Sequence, residues 1–151
     1  MPPNCDCSLS MYIHQGKASA AEPCHTTTNT TMNTNNRLIS PSLLSADFGH
    51  LADDIAEINN SRAQYLHIDI MDGVFVPNIS FGFPVLKYVA QLSTKPLDVH
   101  LMIVEPDKFV NEVKALGSEI MNVHYEACTH LHRSFQRIHD AGMKAGVMNS
   151  P

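Results

Sequence analysis

No stretch of the 151-residue sequence approaches the roughly 20 consecutive apolar residues that a membrane-spanning helix requires. A membrane partner is therefore not expected. Basic residues are also scarce: 10 Lys plus Arg stand against 15 Asp plus Glu, a formal charge of -5, with no basic block to follow a phosphate backbone. Nucleic acid is accordingly excluded as an expected partner. The four cysteines form no disulfide framework, since Cys5, Cys7 and Cys24 crowd the first residues and Cys128 stands alone. Cys5, Cys7, Cys24 and His25 lack the paired spacing of a zinc site and lie among few apolar residues, so a disordered tail is the better reading there. Neither a basic-then-apolar signal segment nor an Arg-rich transit peptide is evident, which makes the cytoplasm the expected compartment.

What is present divides in two. Residues 1–36 are rich in Thr, Asn, Ser and Pro and carry no periodicity, the pattern of a low-complexity tail. Met32, just before the first patterned segment, suggests a start site that would make residues 1–31 an upstream extension. Residues 37–151 instead alternate short apolar runs with helical stripes, as βα units in sequence do. Strands are expected at Leu38–Leu43, Tyr65–Met71, Leu97–Ile103, Glu119–Glu126 and Met143–Met148. Between them lie the stripes Phe48/Leu51/Ile55/Ile58, Val85/Leu86/Val89/Leu92, Phe109/Val110/Val113/Leu116 and Leu131/Phe135/Ile138. Pro84 and Pro106 suit first turns, Thr129 an N-cap, and Gly117 and Gly142 the positions just past helix ends. Strand starts one helix apart imply parallel pairing.

Three strands have an unusual second face. Side chains alternate along a strand, so Leu66, Ile68 and Ile70 point one way while His67, Asp69 and Met71 point the other. Leu97, Val99, Leu101 and Ile103 likewise oppose Asp98, His100 and Met102, and Asn122, His124 and Glu126 oppose Met121, Val123 and Tyr125. Burying such groups unpaired costs several kcal/mol. A divalent cation held by His67, Asp69 and His100 is the simplest compensation, because adjacent strands lie about 4.8 Å apart and these are ordinary ligand types. The competing view is a set of hydrogen-bonded core histidines with a structural Asp. His50, His130, His132 and His139 fall on helices and are expected to face solvent.

The segments Pro41-Ser42-Leu43-Leu44-Ser45-Ala46-Asp47-Phe48, His67-Ile68-Asp69-Ile70-Met71-Asp72-Gly73 and Phe75-Val76-Pro77-Asn78 resemble the ribulose-phosphate 3-epimerase family. Asp98-Val99-His100-Leu101-Met102 and His124-Tyr125-Glu126-Ala127 extend the likeness. The resemblance implies an α/β fold, a partial TIM (β/α)8 barrel of about four βα units plus a fifth strand. It further implies a metal-dependent isomerase that interconverts ribulose 5-phosphate and xylulose 5-phosphate in carbohydrate metabolism. His67, Asp69 and His100 would hold one divalent ion, zinc, iron, manganese or cobalt. Asp69 would also be one of two proton-transfer acids. Ser42 and His100 would contact the sugar phosphate, and Met71 and Met102 would cover the enediolate. A full-length chain is expected to be a homo-oligomer.

The family's second aspartate, in a Val-Asp-Gly-Gly-like segment, and its late glycine-rich phosphate loops do not occur in the 151 residues. A truncated barrel, inactive alone and with open sheet edges that favour self-association, is therefore the expectation. Two alternatives stand beside it: an epimerase of the same family acting on a hexulose 6-phosphate, and a non-catalytic metal-binding or half-barrel fragment.

Overall fold

The structure, a computed structural model, describes residues 38–150. The expected tail, the cysteine–histidine grouping within it and the start-site reading at Met32 lie outside the described residues. Four strands, β1 (Leu66–Met71), β2 (Leu97–Met102), β3 (Ser118–His124) and β4 (Lys144–Met148), form one sheet in the order β1-β2-β3-β4. Every pairing is parallel. Each return is made through a helix: α2 (Phe83–Leu92), α3 (Val110–Ala115) and α4 (Leu131–Asp140), with α1 (Leu51–Asn60) ahead of β1. Parallel strands need such crossovers because a tight turn can only reverse the chain.

The apolar face of the sheet and the helices form the core. Leu66, Ile68, Val99, Leu101, Met121 and Val123 from the strands pack with Ile55, Leu86, Val89, Val113 and Ile138 from the helices, all fully buried. The stripes thus mark the buried helix faces, although Val85 and Leu92 flank that of α2 and are exposed, as is Phe48 ahead of α1. Pro84 does sit in the first turn of α2, and Pro106 opens a short 3-10 turn, Pro106–Phe109, that leads into α3. Gly117 and Gly142 follow α3 and α4 with φ of 79° and 75°, the left-handed conformation that ends a helix most easily without a Cβ. Thr129 is not the cap of α4: His130 holds that position, without a side-chain cap bond.

Two expected strands end differently. Of the expected strand Leu38–Leu43, residues 38–42 run irregularly to a single parallel bridge with β1, Ser42 to His67, and Leu43 opens a 3-10 turn at Leu43–Ser45. Pro41 has no N–H to give a ladder, so its carbonyl accepts from His67 N at 2.8 Å while nothing can be returned. The segment nevertheless occupies a strand's place beside β1, which leaves four βα units and a last strand. β3 stops at His124, because Tyr125–Ala127 coil into a 3-10 turn closed by Cys128 N on Tyr125 O. Tyr125 is accordingly exposed and Glu126 leaves the sheet's inner face.

Candidate metal centre and active site

The sheet's second face carries the chemistry. Parallel register places His67 opposite Asp98, Asp69 opposite His100, and Met71 opposite Met102. His67, Asp69, Asp98 and His100 are 2, 8, 2 and 4% exposed, as buried as the apolar residues behind them. Charged groups at that depth require partners, and each has one. His67 Nε2 lies 3.1 Å from Asp69 Oδ1, and His100 Nδ1 lies 3.1 Å from the same oxygen. Ser42 Oγ donates to Asp69 Oδ2 at 2.8 Å, so the single bridge of the preceding segment delivers a hydroxyl to this carboxylate.

Outer partners continue the network. Asp98 Oδ2 meets His67 Nδ1 at 2.8 Å, and Asn122 Nδ2 donates to Asp98 Oδ1 at 2.6 Å. On the other flank His100 Nε2 lies 2.9 Å from His124 Nε2, their rings stacked at 5.0 Å, and Phe75 packs on the far side of His124 at 4.8 Å. Two buried atoms, Asn122 Oδ1 and His124 Nδ1, have no hydrogen-bond partner. His50, His130, His132 and His139 are exposed, as expected, the first two capping α1 and α4 and the last two lying within α4.

The electrostatics follow from this crowding. Burial alone would raise the Asp69 pKa, but hydrogen bonds from His100, His67 and Ser42 and the charge on His67 outweigh it and hold the carboxyl well below the usual range. Burial likewise opposes a charged His67, yet its hydrogen bonds to Asp69 and Asp98 and their charges raise it from 6.5 to about 9. His124 moves the other way, lowered by burial and by the neighbouring charge at His100, with Glu126 opposing.

The donor set fits a divalent cation. Two imidazole nitrogens and a carboxylate oxygen, from His67, Asp69 and His100, all lie within 4.8 Å of one another. These are hard-to-borderline ligands of the kind first-row divalent ions accept. The structure thus brings together the three predicted ligands and places Ser42 on one of them. Met71 and Met102 form the next register pair along the same face, both partly buried. Asp98 and Asn122 were visible in the sequence only as members of the polar face; their contact with His67 depends on cross-strand register, which no local pattern specifies.

A parallel β/α sheet whose adjacent strands converge two imidazoles and a carboxylate defines a partial TIM-barrel type of α/β protein with a cluster on its inner face that could hold a cation. The particular family follows from comparison with known proteins. Residues 38–151 match the ribulose-phosphate 3 epimerase family, and the chain belongs to it. It is 47% identical over 113 residues to the ribulose-phosphate 3-epimerase of Bacillus subtilis, covering 75% of this chain and 52% of the relative. The enzyme of that name from Synechocystis is 44% identical over 118 residues, 77% of this chain and 51% of the relative. The chloroplastic ribulose-5-phosphate-3-epimerase of Arabidopsis thaliana is 41% identical over 116 residues, 76% and 41%. The chain spans about half the length of the curated relatives it matches. No helix among the described residues is long and apolar enough to cross a membrane.

Proposed function

We propose that this chain carries the cation-holding part of the active site of a ribulose-phosphate 3-epimerase, which interconverts D-ribulose 5-phosphate and D-xylulose 5-phosphate. The observation that carries the reading is the convergence of His67, Asp69 and His100 donor atoms within 4.8 Å, in a chain of that family. His67, Asp69 and His100 would hold one divalent ion, and its role when bound is to act as a Lewis acid toward the oxygens of the substrate's keto-alcohol.

The protein's own groups do the rest. Asp69, held below the ordinary carboxylate range, is ionised at neutral pH and able to take the proton from carbon 3. The electron pair of the broken C–H bond moves toward the ketone and leaves a planar enediolate. Ser42 fixes one oxygen of Asp69 at 2.8 Å, and so sets the direction of the other. Met71 and Met102, side by side across β1 and β2, give an apolar lining that keeps water from the enediolate. Inversion then requires a proton delivered to the opposite face by a second acid, and Asp69 is the one carboxylate in the cluster among the described residues.

The reading is tested by supplying D-ribulose 5-phosphate and Mn(II) in deuterated water and following carbon 3 by NMR. The 151-residue chain is expected to exchange that hydrogen faster than it forms D-xylulose 5-phosphate, and Asp69→Asn to abolish exchange. Exchange by Asp69→Asn at the unaltered rate would remove Asp69 from the chemistry and with it the proposal.

A further inference from the structure

Asp98 is a buried acid that the proposed chemistry does not use. It lies two register positions before the Asp69–His100 pair, on the same face, is 2% exposed, and directs its two oxygens at different partners. Oδ2 meets His67 Nδ1 at 2.8 Å and also accepts from Ser40 Oγ at 3.4 Å; Oδ1 accepts from Asn122 Nδ2 at 2.6 Å. Asn122 is itself fully buried. Its amide lies directly against Gly146, where a Cβ would come within 1.9 Å of Asn122 Oδ1. A chain of contacts therefore runs from β4 through Asn122 on β3 and Asp98 on β2 to His67 on β1.

We infer that Asp98, braced by Asn122, is a positioning residue that fixes the tautomer and ring orientation of His67 for cation binding. The inference rests on the proposed cation site. A carboxylate can only accept, so an imidazole nitrogen facing it must carry a hydrogen. Nδ1 of His67 is thereby committed to Asp98, and Nε2, which faces Asp69 Oδ1 at 3.1 Å, is the nitrogen whose hydrogen an ion at the cluster would displace. An outer acceptor of this kind orients a ligating imidazole and raises its basicity. A merely structural Asp98 would satisfy burial without any consequence for which nitrogen of His67 holds the hydrogen.

Asp98→Asn separates the two roles at nearly constant volume. Asn122 Nδ2 claims the one acceptor of the new amide, which turns its NH2 group toward His67 Nδ1 and leaves the ring's hydrogen on Nε2, where an ion would bind. Zn(II) titration of the full chain by calorimetry should show affinity falling about 10- to 100-fold, the range for lost outer partners. Affinity within threefold of the unaltered chain overturns the inference. An independent measurement covers the case in which the variant does not fold: nitrogen-15 NMR of the unaltered, Zn(II)-loaded chain should show His67 Nδ1 protonated, and a metal-bound Nδ1 overturns the inference. His100→Ala distinguishes the inference from the site beneath it. Binding lost in His100→Ala but kept at full strength in Asp98→Asn removes the positioning role and leaves the cation site. An unaltered chain that binds no Zn(II) removes both.

Discussion

The two faces of the sheet are equally buried and chemically opposite. Leu66, Ile68, Val99 and Leu101 on one side and His67, Asp98, His100 and Asn122 on the other are all 4% exposed or less, and they alternate residue by residue along the same strands. The apolar side gains from leaving water, at about 25 cal/mol per Å2. The polar side loses hydration and offsets it through contacts among His67, Asp69, Asp98, His100 and Asn122 and with Ser40, Ser42 and His124 around them. One face therefore holds the sheet to its helices, and the other presents donor atoms that could hold a cation.

This contrast can be broken from either side. The largest effect is expected at His100, which supplies one donor atom of the cluster. His100→Ala should reduce cation affinity more than the roughly 100-fold upper range for outer partners, to a level calorimetry does not detect. Near-normal binding by that variant would mean that the cluster is not the site. Its neighbour Leu101, fully buried and facing the helices, should behave in the opposite manner. Leu101→Ala is expected to cost about 2–5 kcal/mol in urea denaturation while the folded fraction keeps its cation affinity. Equal losses of affinity and stability at both positions would show that the faces are not separable.

A smaller effect tests whether the polar face is itself close-packed. At Gly146 a Cβ would meet Asn122 Oδ1 at 1.9 Å, so Gly146→Ala must displace the amide that braces Asp98. Overpacking of this kind costs about 1–3 kcal/mol. The melting temperature should fall and cation affinity should weaken with it. A melting temperature unchanged from the parent would show that β4 yields and that the contact chain across the sheet is soft.

Much of this was legible before any coordinates. Strict alternation in Leu66–Met71 and Leu97–Met102 marked both faces, and the ligand types at His67, Asp69 and His100 singled out the one on which donor atoms converge. Three things were not legible, each for a physical reason. Pro41 removes a donor from a run that otherwise reads as a strand, so its pairing shrinks to one bridge. Tyr125 and Glu126 continue an alternating pattern, but the chain leaves the sheet at His124 because a 3-10 turn meets its own carbonyl there. The facing of Asp98 and His67 is a property of register between strands about thirty residues apart in sequence, set by the crossover and invisible to any local window.

The smallest effect per step is the dependence on pH, and it runs in opposite directions for folding and for binding. His67 has its folded pKa raised from 6.5 to about 9 by Asp69 and Asp98 against the cost of burial. The charged imidazole therefore contributes stability that is fully present below about pH 6.5 and is lost as pH rises through about 9. Asp69, lowered, stays ionised throughout this window. An ion at the cluster competes for the nitrogen that holds the His67 proton on the Asp69 side. Binding should thus release up to one proton between pH 6.5 and 9, with affinity rising by no more than about tenfold, or roughly 1.4 kcal/mol, per pH unit. Mn(II) titrations in buffers of different ionisation enthalpy would count that proton directly. A pH-independent affinity across the window would mean that the ion does not meet His67, and that the polar face balances its charges without exchanging a proton for a metal.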